Sequence, residues 1–364
     1  MTLLLVPHGP LGHWWQGSRH FHLLAHLPSD VHVHVADVRP SGLPAPKDVA
    51  AGCGTPLTLH TIRVPRTFYR RLGIKYPGPV SLFLPQLIQR KKLRALAREL
   101  QPDACVLTSN HHICGFPPKS LAHRTVFDYL DLSPSFVERW YCKAATGIVG
   151  ITPALVERAT QYGKTAILVP NGVDLELFKP VAKDEAKVAC GLDPNGPVVS
   201  LIGLTCSDDF YFIDALRLVQ ARQPNITVVL VGSEDRGRRI AERAYRVGLS
   251  RLVVVRPLPH HKVVPYFQAS DVGLYPGNLD PYYVEASPLK IAEYLAAGAQ
   301  VVTSPVNLFR GISGVWTRKP TSEDFAEGIR QALSHPQPIG DLSEFDWRTL
   351  RQRFLSFVLE AAAP

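Results

Sequence analysis

Apolar residues in this chain cluster in short runs, and amphipathic stretches separate them. Residues 2–7, 31–38, 104–108, 125–127, 147–151 and 166–169 read as β-strands of a first half. Residues 17–27 and 153–162 read as helices, and 134–145 as a further amphipathic stretch. A second series follows a polar linker at 180–197. Strands fall at 198–203, 226–232, 252–255, 272–275 and 300–303. Helices fall at 209–222, 235–247, 261–269, 288–297 and 321–334, and a last long one at 346–361. Strand and helix alternate with short connections. That order demands a parallel sheet covered by helices, and here it occurs twice.

The length of 364 residues supports the same division, since one core rarely grows that large. The expected organisation is an N-terminal domain over 1–175, a C-terminal domain over 176–345 and a closing helix over 346–364. Two such domains in tandem leave a cleft between the carboxyl ends of their sheets, where open α/β folds bind ligands. No apolar run is long enough to span a bilayer. The first seven residues are too short for a signal peptide and lack its basic start. Six cysteines are scattered without a C-x-x-C pair, as in a reduced cytosolic protein.

Charge changes the picture of the first half. Residues 1–180 hold 20 Lys and Arg against 11 Asp and Glu, whereas 181–364 hold 20 of each. No acid lies between Asp48 and Glu99. Within that gap, residues 61–98 mix Arg63, Arg66, Arg70, Arg71, Lys75, Arg90, Lys91, Lys92, Arg94 and Arg98 with aromatic and aliphatic residues. The pattern suits an anionic membrane surface. It equally suits a solvated basic helix with its apolar side on the domain. Nucleic acid is not expected, because no binding motif accompanies the charge.

The stretch from Glu285 to Gly298 carries the sharpest chemistry. Ser287 suits an N-cap and Pro288 the first helical position. Gly298 suits the stop. Leu289, Ile291, Ala292, Tyr294, Leu295 and Ala296 cover most of the helix, so it should be largely buried. The free N–H groups of Leu289 and Lys290 then form an anion site, reinforced by the Lys290 ammonium. Glu293 shares the face of Lys290 and can accept hydrogen bonds from sugar hydroxyls. The set fits a nucleotide with a ribose and a diphosphate. A capped helix start with one Lys and one Glu also occurs on many surfaces without a ligand.

Other candidates lie in the first half. The turn at 8–13 is not G-x-G-x-x-G, but it brings backbone N–H groups at Gly12, and His13, to the top of a sheet. His111 and Asp131 follow the carboxyl ends of strands. Asp131 could take a proton from an acceptor hydroxyl or could cap the next helix. Asp128 reads as structural. The many histidines (8, 13, 20, 22, 26, 32 and 34) lack a carboxylate or Cys to complete a ligand set, so no metal site is expected.

Pro170-Asn171-Gly172-Val173-Asp174, a turn with an expected left-handed Gly172, followed by Phe178-Lys179-Pro180, resembles the inter-domain signature of GT-B glycosyltransferases of the family 4 type. Glu285 and Glu293 keep the E-x7-E spacing of the donor motif of that group. The wording from Ser287 to Gly298 is closer still to bacterial exopolysaccharide glycosyltransferases, including the glucuronosyltransferase type of xanthan assembly. The resemblance implies two Rossmann-like domains facing a cleft, with the C-terminal helix packing back toward the first. It implies a peripheral or cytoplasmic hexosyl- or glucuronosyltransferase that uses a UDP-sugar donor, no other cofactor, and a sugar or lipid-linked acceptor. By position, Lys290 and the N–H groups around Leu289, beside Ser287, would hold the diphosphate, and Glu293 the ribose. Glu285 would face the donor sugar, Tyr275 would lie by the nucleotide, and Asp131 would be a catalytic base or an acceptor contact. The sequence departs from the family after Gly203. An Arg and then a Lys are usual there, whereas this chain has Leu204 and Asp208-Asp209. The loop 276–286 also lacks the usual Phe-Gly. A nucleotide-sugar epimerase shares the architecture, and a non-catalytic basic adaptor would explain the missing phosphate clamp.

Overall fold

The computed structural model describes residues 1–7, 10–12, 15–44, 49, 52–65, 79–108, 121–132 and 135–360. The chain divides into two compact units. One comprises the residues up to Pro170 together with the C-terminal helix from Leu350; the other runs from Asn171 to Thr349.

Among the described residues, the first unit holds a seven-stranded parallel sheet in the order β3-β2-β1-β4-β5-β6-β7. Its strands are β1 (Thr2–Val6), β2 (His32–Pro40), β3 (Leu57–Val64), β4 (Ala104–Thr108), β5 (Arg124–Tyr129), β6 (Gly147–Gly150) and β7 (Thr165–Leu168). Helices α1 (Arg19–Leu24), α2 (Pro79–Leu100), α3 (Ser135–Ala144) and α4 (Pro153–Thr160) connect them. β1, β4 and β6 are almost wholly buried, which is why they read as continuous apolar runs.

The second unit carries a six-stranded parallel sheet in the order β10-β9-β8-β11-β12-β13. Helix α5 (Lys183–Ala189) precedes β8 (Val198–Ile202). Then come α6 (Tyr211–Arg222), β9 (Thr227–Val231), α7 (Glu234–Arg246), β10 (Leu252–Val255), α8 (His260–Ala269) and β11 (Val272–Tyr275). The series ends with α9 (Pro281–Val284), α10 (Leu289–Ala296), β12 (Gln300–Thr303), β13 (Val315–Thr317), α11 (Ser322–Ser334) and α12 (Trp347–Glu360). Alternate residues of one strand serve opposite cores. Val229 and Val231 of β9 pack in one cluster with Ile291 and Tyr294. Val228 and Leu230 pack in the other, with Ile213 and Phe325. Both faces are therefore dry, and a polar residue on either face would need a partner.

Five expectations change. β3 lies where no strand was expected and runs into the basic stretch, and β13 was not foreseen. α1 stops at Leu24, short of the expected residue 27, and His26 takes a left-handed φ of 53°. Gly172 is not left-handed. Its neighbour Val173 instead pairs in parallel with Asp346 and exchanges backbone bonds with Phe345 and Trp347. Ser287 does not cap α10: the N-cap is Pro288, with no side-chain bond.

The basic helix α2 packs as an amphipathic element. Leu93, Leu96 and Ala97 are buried, while Lys91, Lys92, Arg94 and Arg98 face solvent. Among the described residues no helix is long and apolar enough to cross a membrane.

Candidate functional site

The position of α10 is fixed by one tyrosine and one glycine. Tyr294 is fully buried, and its ring lies on Gly273 of β11. A Cβ at Gly273 would come within 2.3 Å of that ring, so only glycine lets the helix sit so close. The Tyr294 hydroxyl accepts from Ile202 N at 3.0 Å and donates to Ser200 O at 3.1 Å. A helix in the second unit is thus fastened to the C-terminal end of β8. Gly298, at φ 77°, ends it as a left-handed C-cap glycine does.

The approach to α10 is held from the other end of the unit. Asn171 N donates to Ser287 Oγ at 2.9 Å, and Asn171 Nδ2 donates to Ser287 O at 2.6 Å. Ser287 is buried and used as a strut. The N–H groups of Leu289 and Lys290 are in the first turn, where no intrahelical acceptor exists. The macrodipole adds positive potential at the same spot.

Lys290 supplies a full charge there. Its stem is partly exposed, but Nζ is shut off from solvent and has no hydrogen-bond partner. Nζ lies 5.8 Å from the ring centre of Tyr275, which is itself buried at the end of β11. Backbone crowds it too: a Cβ at Gly203, where φ is +80°, would stand 3.0 Å from Nζ. Burial pulls the Lys290 ammonium down to a pKa of about 8, partly offset by Cys206 and Glu293. An ammonium with no acceptor in a dry place is an unsatisfied charge, and an anion would satisfy it.

Glu293 lies three residues on and is 8% exposed. Its Oε1 meets His260 Nε2 at 3.0 Å. Burial alone would lower the His260 pKa, but the Glu293 carboxylate, with Asp174 behind it, outweighs that and raises it. His260 also packs on Phe178, ring centres 5.5 Å apart. Glu285 lies at the end of α9, where Asn307 Nδ2 donates to its Oε1. The structure therefore brings Tyr275, Lys290 and Glu293 together, with Ser287 and Leu289 at the same helix start.

Sequence reasoning missed two side chains here. His260 is one. The other is Arg236, in the first turn of α7. Its Nη2 donates to Cys206 O at 2.6 Å and pairs with Asp208 Oδ1 at 3.0 Å. Tyr283 Oη donates to the same Cys206 carbonyl at 3.2 Å. The available signal was position: an Arg one turn into a helix that follows a β-strand and a glycine, Gly232.

In the first unit, Gly12 O accepts from Trp15 N at 3.0 Å, closing a turn. Asp131 lies two residues past β5, partly exposed, and four before α3 begins. His13 and His111 fall outside the described residues. Asp128 is buried between Arg19 Nε at 3.0 Å and His20 Nε2 at 2.9 Å. Burial pushes its carboxyl up, but these two partners prevail and hold it below the usual range. His34 and His60 bond to each other at 2.8 Å.

Residues 209–335 match the family described as Glycosyl transferases group 1. The matched span contains α10 with Lys290 and Glu293. A D-inositol 3-phosphate glycosyltransferase of Segniliparus rotundus is 25% identical over 177 residues, which are 47% of this chain and 39% of that protein. The chain thus spans about two fifths of that curated relative's length. Among solved structures, sucrose-phosphate synthase from Thermosynechococcus elongatus superposes with a TM-score of 0.67 at 19% identity, covering 100% of this chain and 96% of that one. The Anabaena protein HepE, in complex with UDP and glucose, gives 0.65 at 14% identity, covering 99% and 100%. These likenesses concern the fold. The chain carries a glycosyl transferases group 1 domain and has the two-domain GT-B fold.

Proposed function

We propose that this chain is a glycosyltransferase that moves a sugar from a UDP-sugar to a hydroxyl of an anionic acceptor. The observation that carries the reading is Lys290 Nζ, buried and without a partner at the mouth of α10. The group 1 domain match over that same segment supports it. So does the structural likeness to HepE, whose structure holds UDP and glucose.

In this reading the Lys290 ammonium and the first-turn N–H groups receive the diphosphate. Negative charge grows on that leaving group as the sugar bond breaks, and preset donors stabilise it without reorganising. The Tyr275 face keeps the ammonium in place. Glu293 accepts from the ribose hydroxyls through Oε2, while His260 fixes Oε1. Glu285, oriented by Asn307, contacts the donor sugar. Asp131 is the base for the acceptor hydroxyl if the reaction inverts; a donor phosphate oxygen takes that proton if it retains. Likeness of the segment 287–298 to exopolysaccharide enzymes favours a hexosyl or glucuronosyl donor.

The basic face of α2 supports an anionic acceptor. Leu87, Arg90, Lys91, Arg94 and Arg98 of α2 line a hollow of about 340 Å³. A lipid-linked pyrophosphate sugar at the inner membrane face would suit it, as would a soluble inositol phosphate of the kind named for the Segniliparus relative. Flotation with anionic phospholipid vesicles at moderate salt separates the two. Binding favours the lipid-linked acceptor, and competition by inositol phosphate without vesicle binding favours the soluble one. For the donor site, Lys290→Ala should abolish hydrolysis or transfer from the UDP-sugar with an unchanged circular dichroism spectrum. Full activity in that variant would overturn the assignment.

A further inference from the structure

We propose that Arg236 is the second cationic arm of the diphosphate site, brought in from α7 in place of a cation in the turn after β8. The proposal rests on the donor reading above and adds a residue to it.

The turn after β8 cannot supply the charge itself. Gly203 and Leu204 both have positive φ, 80° and 45°. That conformation turns the Leu204 side chain inward, where it is 2% exposed. It packs on two glycines: a Cβ at Gly232 would come 2.9 Å from Leu204 Cγ, and one at Gly237 would come 3.4 Å from Cδ1. Position 204 is therefore part of the core. Thr205, Cys206, Ser207 and Asp208 follow, none of them cationic.

Arg236 reaches the same turn from the opposite side. It is tied to the Cys206 carbonyl and sulfur, at 2.6 and 3.3 Å. Its Nε is buried and has no partner. Its guanidinium carbon lies 5.9 Å from the Phe210 ring centre, and Arg239 lies 5.8 Å from the same ring. Lys290 lies on the other flank of the turn, against Gly203. Arg236 helps to lower the Lys290 pKa, and both cations pull the Cys206 thiol down against its burial. Two cations flank one turn, and neither Lys290 Nζ nor Arg236 Nε has a hydrogen-bond partner, so the spot can take an anion.

The acid that is present does not remove the shortage. Asp208 is 78% exposed, so its pair with Arg236 is a solvated contact of small strength. Such a pair keeps the guanidinium poised and can be exchanged for a better anion. A planar guanidinium matches two phosphate oxygens at once, whereas the Lys290 ammonium acts as a point charge. The ligand is therefore a diphosphate bridging the Lys290 and Arg236 sides, rather than a monophosphate on Lys290 alone.

Titration calorimetry with the full chain tests this, using UDP, UMP and uridine. Arg236→Gln should weaken UDP by about 10- to 100-fold, the usual range for losing a charged hydrogen bond, and leave uridine unchanged. UMP should lose less than UDP. Arg236→Lys should restore part of the UDP affinity. Asp208→Asn should keep or tighten it. Normal UDP affinity in Arg236→Gln, with Lys290→Ala still defective, would overturn the role of Arg236 and leave the donor site standing. Equal losses for UDP and uridine, together with a lower melting temperature, would also overturn it, because Arg236 would then only brace the turn. Failure of the unsubstituted chain to bind any nucleoside diphosphate would overturn the donor reading itself.

Discussion

The Lys290 ammonium should make nucleotide binding pH-dependent on the alkaline side of neutrality. Its pKa is lowered from 10.5 to about 8, first by burial. Holding the charged form in that dry place costs about 3 kcal/mol. Between about pH 8 and 10.5 the unfolded chain therefore keeps a proton that the empty folded protein has released. Stability of the empty protein should rise with pH across that window, as this penalty is relieved. Binding runs the other way. A diphosphate needs the ammonium and restores its pKa, so the complex takes up a proton. At about pH 9 the uptake should be roughly 0.9 proton per UDP, and UDP should bind roughly eightfold more weakly than at about pH 7.5. Calorimetry in buffers of different ionisation enthalpy measures both quantities. Lys290→Arg stays charged throughout and should bind with a flat profile. Any titration of the ligand appears equally in that variant. Absence of proton uptake in the unsubstituted protein, or the same slope in Lys290→Arg, would refute the reasoning.

Three further outcomes are expected. Tyr294→Phe strands the buried Ile202 N–H and should destabilise the second unit by about 1–3 kcal/mol in urea denaturation, a shift that would be absent if the hydroxyl were dispensable. His260→Gln should remove a stabilisation that is fully present below about pH 6.5 and fades as pH climbs through the raised folded pKa, so the two proteins should differ most in melting temperature in mild acid and converge toward alkaline pH. Asp131→Asn should lower turnover by at least about 100-fold with UDP affinity unchanged if Asp131 is the base; near-normal turnover in a sugar-transfer assay would remove it from that role.

Much of the fold was legible because both sheets are parallel and doubly covered. β4, β9, β11 and β12 are runs with no polar face to hide, so each stood out. β3 escaped because it is an edge strand with exposed Leu57-side neighbours and an Arg63 that grouped by charge with the basic segment. β13 is three residues long at an edge of the second sheet, too short for a period to show. At the candidate site, Lys290 and Glu293 announced themselves through helix spacing. Ser287 misled for a physical reason: it is a good N-cap residue by type, but Asn171, far off in sequence, claims its oxygen. His260 and Arg236 belong to other helices, and only the packing of α7 and α8 beside α10 and the β8 turn reveals them.

The embrace of Gly273 by the Tyr294 ring has an evolutionary consequence. A helix bolted to its sheet in this way cannot slide, tilt or lengthen to suit a different nucleotide without first losing the bolt. Diversification toward new donors must therefore be written in the segments around it, the 204–210 turn and the 276–286 loop. Those stretches are where this chain already differs from its resemblance group.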